Sequence, residues 1–343
     1  MSGGWQAVSE AIAAARAEIA AAAPDAETAV EGEAYVARIL TSTLANAFLG
    51  HLLTDDGLAR ALPTHGGPNP DYLMRHAGVS MDSRYTVHGQ LNSSDRVGIG
   101  LYRFDASGTA FEVGYQAFDA GNADASGRFS LEVSPDALPD GLAITPEARA
   151  LLIRTLHRAP GEQPARLVLD GAPSSAGLTL ATGSTDGALT FVARGLVNTV
   201  RQFLEWTRVT STKPNRFDFA PPHLAAAVQG DPDTVYLLGY YELAEGEWLE
   251  VLMPEGLSGY WSLHAYNHWT ENLQTQGAHD RNVQADDDGR IRVRIGPDIP
   301  AEALNRIDTA GRRRGMLIAR LIGSAATEPP ATRIVRGRDI AQA

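Results

Sequence analysis

Within Gly259-Tyr-Trp-Ser-Leu-His-Ala-Tyr-Asn-His-Trp269 the side chains alternate in character, which is the period of a β-strand whose successive residues point to opposite faces. One strand over 260–269 places Trp261, Leu263, Ala265, Asn267 and Trp269 on one face. Ser262, His264, Tyr266 and His268 then share the other, and Glu271 and Asn272 follow just beyond. The first face reads as core, with Asn267 its polar exception. The second carries two imidazoles and a phenol, groups suited to general acid/base work or to orienting a polar substrate. The competing reading is a solvated face whose His and Tyr pack on neighbours. Residues four apart in a strand lie about 13 Å apart at about 3.3 Å each, so His264 and His268 do not form a chelate and no metal is expected.

Outward from this stretch the same alternation recurs. Further strands are expected over 235–243, 248–253, 291–295 and 316–322, with Asp286-Asp-Asp-Gly289 as a hairpin turn rather than a magnesium site. Upstream, short strands are expected at 85–89, 97–101, 111–115, 129–133 and 167–169. Residues 151–156 are ambiguous, because Thr145, Pro146 and Glu147 also make a good helix start; they are read as strand. Trp5, Val8, Ile12, Ala15 and Ile19 recur at helical spacing, and Tyr35, Ile39, Leu44, Phe48 and Leu52 do so after an acidic break near Glu31. A small-residue linker over 171–187 precedes a long helix with Leu189, Val192, Leu196, Val200 and Leu204 on one face. The fold class is mainly β with helices (α+β): antiparallel β-sandwich or jelly-roll-like sheets, amino-terminal helices, and one long helix between the strand regions. The segments are 1–62 (helical), 63–186 (first β-rich domain), 187–230 (helix and loop) and 231–343 (carboxy-terminal β domain).

The chain of 343 residues is 44% hydrophobic and 20% charged, ordinary globular values, and no apolar run approaches the roughly 20 residues of a membrane helix. The amino-terminal Ala-rich stretch is interrupted by Arg16 and Glu18, unlike a secretory signal, so a cytoplasmic address is expected. Zero cysteine removes disulfides and thiol chemistry. The net charge of −12 disfavours nucleic acid and acidic membranes as partners, leaving a small molecule and compatibility with a homo-oligomer. No phosphate loop, dinucleotide fingerprint, nucleophile elbow or H-E-x-x-H helix occurs, so no cofactor is expected.

Secondary candidates lie elsewhere. Tyr72, Arg75 and His76 follow a Pro- and Gly-rich loop, where an Arg could hold an anion and a His could move a proton. His279 and Asp280 are adjacent and point apart if extended. Asn305, Asp308 and Thr309 suit a turn, and Arg312, Arg313 and Arg314 suit either an anion site or a solvated face, as do Arg290, Arg292 and Arg294.

The order of the 259–269 strand, Asp280-Arg-Asn-Val283, the turn at 286–289, the strand 290–295, Asn305-Arg-Ile-Asp-Thr-Ala-Gly311 and the strand 316–322 resembles the bacterial domain-of-unknown-function family numbered twelve-fourteen. Asn69-Pro-Asp-Tyr-Leu73 and Arg84-Tyr-Thr-Val-His-Gly89 resemble the segment that usually precedes that domain. Arg306 departs from the Trp frequent in relatives. The resemblance implies a β-sandwich or jelly-roll-like fold and supplies no reaction. The residues point to a cofactor-independent hydrolase or lyase acting on a small, largely apolar oxygenated molecule, in a pocket between the carboxy-terminal sheet and the 189–206 helix. His264 or His268 would act as acid/base, Tyr266, Asn267, Glu271, Tyr72 and His76 would contact substrate, and Arg75 or Arg313 would hold an anionic group. The alternative is a non-catalytic β-sandwich module that binds a sugar, a lipid or a protein.

Overall fold

The computed structural model describes residues 3–52, 54–60, 66–105, 109–137, 139–159, 161–171, 185–226, 230–324, 326 and 328–336. Two helices open it, α1 (Gly3–Ala22) and α2 (Ala26–Leu49). The break between them falls at Pro24 and Asp25, where the Asp25 carboxylate accepts from Thr28 N at 2.8 Å and caps α2. The helix then runs straight through Glu31, because a single acidic side chain costs a helix little whereas Pro removes a donor and Asp caps. It stops at Leu49, short of Leu52.

The first sandwich contains β1 (Thr54–Asp55), β2 (Leu58–Arg60), β3 (Tyr72–Gly78), β4 (Tyr85–Gln90), β5 (Val97–Phe104), β6 (Ala110–Phe118), β7 (Arg128–Ser134), β8 (Leu142–Ala143), β9 (Ala150–Leu156) and β10 (Arg166–Asp170). A six-stranded sheet, β1-β2-β3-β9-β5-β6, faces a four-stranded one, β10-β4-β7-β8. Val97, Ile99, Leu101, Leu151 and Ile153 meet Val87, Phe129, Leu131, Leu167 and Leu169 between them. Residues 151–156 are a strand: residues 151–155 are paired on both sides, and Leu151 and Ile153 enter the apolar core.

Residues 172–184, most of the expected linker, lie outside the described residues. Then come α3 (Thr185–Ser211), β11 (Arg216–Phe219), α4 (Pro222–Ala226), β12 (Thr234–Glu242), β13 (Glu247–Leu252), β14 (Tyr260–Ala265), β15 (Ala278–His279), β16 (Arg292–Gly296), β17 (Arg306–Asp308), β18 (Arg314–Ile322) and β19 (Ala331–Arg336). The second sandwich packs the sheet β11-β12-β18-β14-β15 on β17-β16-β13-β19. Trp261, Leu263 and Ala265 enter its core with Leu249, Val251, Val293 and Leu317, so the expected core face of the 260s is the core face.

The three long helices share a core. Val8, Ala15, Ile19, Tyr35 and Ile39 pack on Leu189, Val192, Leu196, Val200 and Leu204. Each fully buried aliphatic side chain there removes enough apolar surface from water to contribute roughly 1.5–3 kcal/mol. The end of α3 continues onto the second sandwich, where Trp206 joins Leu238, Tyr240, Tyr266, Met316 and Ile318 on the sheet face opposite its sandwich core. That covered face is the one that carries His264.

Candidate functional site

The expected strand over 260–269 ends at Ala265. Asn267 causes the change: its Oδ1 accepts from Trp269 N at 3.0 Å and Glu271 N at 2.9 Å, and Thr270 takes φ +61°. An Asn side chain that satisfies its own downstream amides closes a turn, which reverses the chain into a bridge between Tyr266 and Asn272. Trp269 therefore leaves the strand and enters the helix core, stacking on Tyr35 at 6.2 Å and donating Nε1–H to Thr28 O at 3.0 Å. Asn267 and Glu271 do not contact a ligand space. The Asn267 amide holds Glu271 at 2.9 Å, and Arg38 of α2 clamps both Glu271 oxygens at 2.6 and 2.5 Å, tying the helices to the turn.

The second face of β14 is not solvated, since every residue from 260 to 271 is buried. His264 is 1% exposed, with Nε2 3.5 Å from Asp71 Oδ1. Tyr260 OH donates to Asp71 Oδ2 at 2.8 Å and lies 2.8 Å from Ser262 Oγ, while Asn69 Nδ2 donates to the same phenol at 2.8 Å. Burial pushes the Asp71 carboxyl up, but the hydrogen bond and charge of His264 and the Tyr260 hydroxyl outweigh it, leaving Asp71 below its ordinary range. Burial beside that carboxylate drives Tyr260 well above the ordinary phenol value. His264 Nδ1 is buried with no hydrogen-bond partner among the described residues.

His268 stands with different partners. Its Nδ1 is 2.8 Å from Tyr240 OH, and its backbone carbonyl accepts from Thr207 Oγ1 at 2.8 Å. Burial, offset in part by a hydrogen bond to the Ala22 carbonyl, lowers it to about 4, so it is a neutral packing imidazole. Tyr266 OH donates to Pro68 O at 2.7 Å and accepts from Arg320 Nη1 at 3.0 Å; Arg320 Nη2 donates to Gly67 O. The Pro- and Gly-rich loop before Tyr72 thus fills the space in which a substrate was expected. The long helix likewise packs directly onto the sheet, and the expected pocket between them is occupied by side chains.

Other candidates disperse. Arg75 donates weakly to Asp55 O at 3.4 Å on an exposed surface, and His76, lowered by burial, lies opposite Leu152 on the same strand pair. Arg313 is taken by Asp298 and Ala244 O, both at 2.9 Å. Arg312 pairs with Glu31, and Arg314 with Asp25 and Glu242. Arg290, Arg292 and Arg294 form ion pairs with Glu255, with Asp286 and Asp288, and with Glu250 and Asp286 rather than simply facing water. The turn at 286–289 is present, closed by Gly289 N to Asp286 O at 2.8 Å. Tyr72 alone of this group reaches the junction of the sandwiches, its ring 6.2 Å from that of Tyr260.

That junction collects residues that no local sequence pattern links. Arg158 of the first sandwich is 3% exposed at its side chain, binds both Asp280 oxygens at 2.6 and 2.5 Å, pairs with Asp95, and lies 5.7 Å from the Tyr260 ring. Arg281 extends the staple to Asp95 and Glu162. Arg96 holds Asp231 and Asp233. Beside this belt opens a cleft of about 370 Å³, walled by Tyr102, Phe111 and Glu112 from the first sandwich and by Ala225, Asp231, Thr234 and Tyr236 from α4, the following loop and β12. Arg154 lies behind Tyr102, outside the lining of the cleft and 4% exposed; its Nη1 donates to Tyr102 OH at 3.1 Å, and its Nη2 has no acceptor among the described residues. Thr234 Oγ1 and Tyr72 OH are likewise buried and unmet.

A larger groove of about 470 Å³ crosses the outer face of the four-stranded sheet of the first sandwich. There His88 Nε2 is 3.2 Å from Asp170, and Ser130 Oγ is 3.3 Å from His88 Nδ1. The His88 and Asp170 side chains are 50% and 68% exposed, so these are contacts in water and worth little.

Among the described residues no helix is long and apolar enough to cross a membrane, and no three of His, Asp and Glu converge as metal ligands. Two β-sandwiches linked through a helical core define an α+β protein. Residues 213–336, which include its carboxy-terminal sandwich, match the family described as "Protein of unknown function (DUF1254)". The sequence resemblance to a domain-of-unknown-function family lies over this same region; the family that matches is the one numbered 1254. An uncharacterized protein from Burkholderia cenocepacia has a similar structure, with a TM-score of 0.85 and 23% identity over 97% of this chain and 96% of that one, so the two share a fold from end to end. The VPA0106 protein from Vibrio parahaemolyticus aligns with a TM-score of 0.48 and 11% identity over 88% of this chain and 97% of that one. No curated protein sequence matches.

Proposed function

We propose that this chain is a non-catalytic small-molecule-binding protein whose ligand lies in the cleft between its two sandwiches. The observation that carries the reading is the cleft itself: an opening of about 370 Å³ with three aromatic walls, Tyr102, Phe111 and Tyr236, and a few polar groups, Glu112, Asp231 and Thr234. Ligand sites are concave, largely apolar, sparingly polar and common at domain interfaces. Crystals soaked with a library of small oxygenated fragments test this. Density between Tyr102 and Tyr236 supports the reading; fragments confined to the His88 groove, or to no site at all, remove it.

A second reading, acid/base chemistry of hydrolase or lyase type at His264, has one observation in its favour. Asp71 orients Nε2 while Nδ1 has no protein partner among the described residues. Proton transfer there needs the 66–72 loop to lift from His264, and hydrogen exchange slow at Tyr72 N under all ligand conditions would count against it.

A further inference from the structure

The outer face of the four-stranded sheet in the first sandwich is laid out in three rows. Val87, Phe129, Leu131, Leu167 and Leu169 turn into the core, so the residues that alternate with them point outward. Strand register sets Arg166, Gln90 and Arg128 side by side, then Val168, His88 and Ser130, then Asp170, Thr86 and Glu132. The face therefore grades from basic through hydrogen-bonding to acidic, and the groove of about 470 Å³ takes in all of the first two rows and none of the third. In a chain of net charge −12, this groove gathers Arg128 and Arg166 against a single carboxylate, that of Asp124. Asp124 is spent on its own turn, where Oδ1 accepts from Ser126 N, Ser126 Oγ and Arg128 N at 2.8, 2.7 and 2.9 Å. The Gln90 amide is anchored on Ser126 O at 2.5 Å, and its Oε1 accepts from Arg128 Nε at 3.3 Å. That contact orients Arg128 and leaves both of its Nη nitrogens without an acceptor among the described residues. The Arg166 side chain forms no hydrogen bond or ion pair among them.

Independently of the cleft, we infer that this groove is a second binding site, for a small hydroxylated monocarboxylate of the sugar-acid class. Its carboxylate lies on Arg128 and Arg166, and its hydroxyl groups lie on His88 and Ser130. Guanidinium presents parallel donors that match the two oxygens of a carboxylate. His88 and Ser130 hold only each other and Asp170 through contacts in water, so their hydrogen bonds exchange readily to a ligand hydroxyl. An aromatic acid finds no ring face to stack on, because Phe129, the aromatic residue of the lining, is 8% exposed and stacked on Phe118 in the core. The acidic row beyond the groove repels a second anionic group at the far end, which sets a monoanion apart from a polyanion.

Calorimetric titration of the full chain at low ionic strength with D-glucuronate, D-glucose, D-glucarate and sulfate tests the assignment. Glucuronate is expected to bind about fivefold more tightly than each of the other three, the scale of one exposed ion pair. Arg128→Gln and Arg166→Gln, both at exposed positions, should each weaken glucuronate by about fivefold and leave the weak binding of glucose unchanged. Ser130→Ala should weaken glucuronate by about twofold without affecting sulfate. Ala225→Trp, which fills the cleft between the sandwiches, should leave glucuronate binding as it is. Glucose binding as tightly as glucuronate would overturn the role of the arginines, and sulfate or glucarate doing so would overturn the hydroxylated monocarboxylate. No binding of glucuronate, binding indifferent to both arginine variants, or binding lost in Ala225→Trp would overturn the groove as the site.

Discussion

His268 makes stability depend on pH in a way that a substitution can isolate. Its imidazole is held neutral in the folded chain, with a value of about 4 against 6.5 for an unburied histidine. In acid the unfolded chain takes up the proton first, so between pH 6.5 and about 4 the unfolded state binds more protons and stability rises with pH. The stabilising contribution is fully present above pH 6.5 and is lost as pH falls through about 4. At about 1.36 kcal/mol per pH unit, that interval amounts to about 3 kcal/mol. Urea unfolding of wild type and His268→Gln at several pH values between 4 and 7 measures it. The Gln variant should be less stable at pH 7, by about 1–3 kcal/mol from lost packing on Trp269 and Tyr240, yet the gap should close towards pH 4. Carboxylates such as Asp71 titrate in both proteins and cancel from the difference. A gap that stays constant to within about 0.5 kcal/mol across the range would refute the reasoning, because it would mean that His268 carries the same proton folded and unfolded.

Two further substitutions probe the contacts that replace the expected active site. Glu271→Ala should destabilise by about 2–3 kcal/mol in chemical denaturation, since it strips Arg38 and the Asn267 amide of a charged acceptor; a loss under about 0.5 kcal/mol would show the clamp to be idle. A methyl group on Gly277 would sit 2.5 Å from His264 Nε2 and 2.9 Å from Leu263 O, so Gly277→Ala should cost at least about 2 kcal/mol and displace the imidazole from Asp71; a variant with unchanged midpoint and an unaltered His264 ring position contradicts the packing.

Much of this architecture is written in period and composition. Residues 261, 263 and 265 alternate into a core, and Leu189, Val192 and Leu196 repeat at helical spacing, because burial selects one face of each element. The end of the 260s strand is legible only in Asn267, whose side chain builds a turn that overrides the continuing alternation. The site is less legible, since a polar strand face looks the same whether it meets water, a substrate or another part of the chain. Asp71 and Tyr260 are 189 residues apart, and nothing local in either pairs it with the other. The stretches 69–73 and 259–269 touch through Asn69, Asp71 and Tyr260, a contact between the loop before β3 and β14 that only the assembled fold makes. The gathering of Tyr102, Glu112 and Tyr236 around one cleft is equally non-local, because it arises from strand order in the first sandwich and from how that sandwich docks against β12.

The cleft between the sandwiches is tested most directly by filling it. Ala225 lines the opening from α4, and Ala225→Trp would place an indole there without touching the buried belt of Arg158, Asp280 and Tyr260. Ligand-observed NMR of wild type and Ala225→Trp with one panel of amino acids and aromatic acids reads the outcome. A ligand held in the cleft should show saturation transfer in wild type for at least one panel member and lose it in the variant at equal thermal stability; transfer that survives unchanged in Ala225→Trp would place the binding site elsewhere and contradict the cleft as the seat of function.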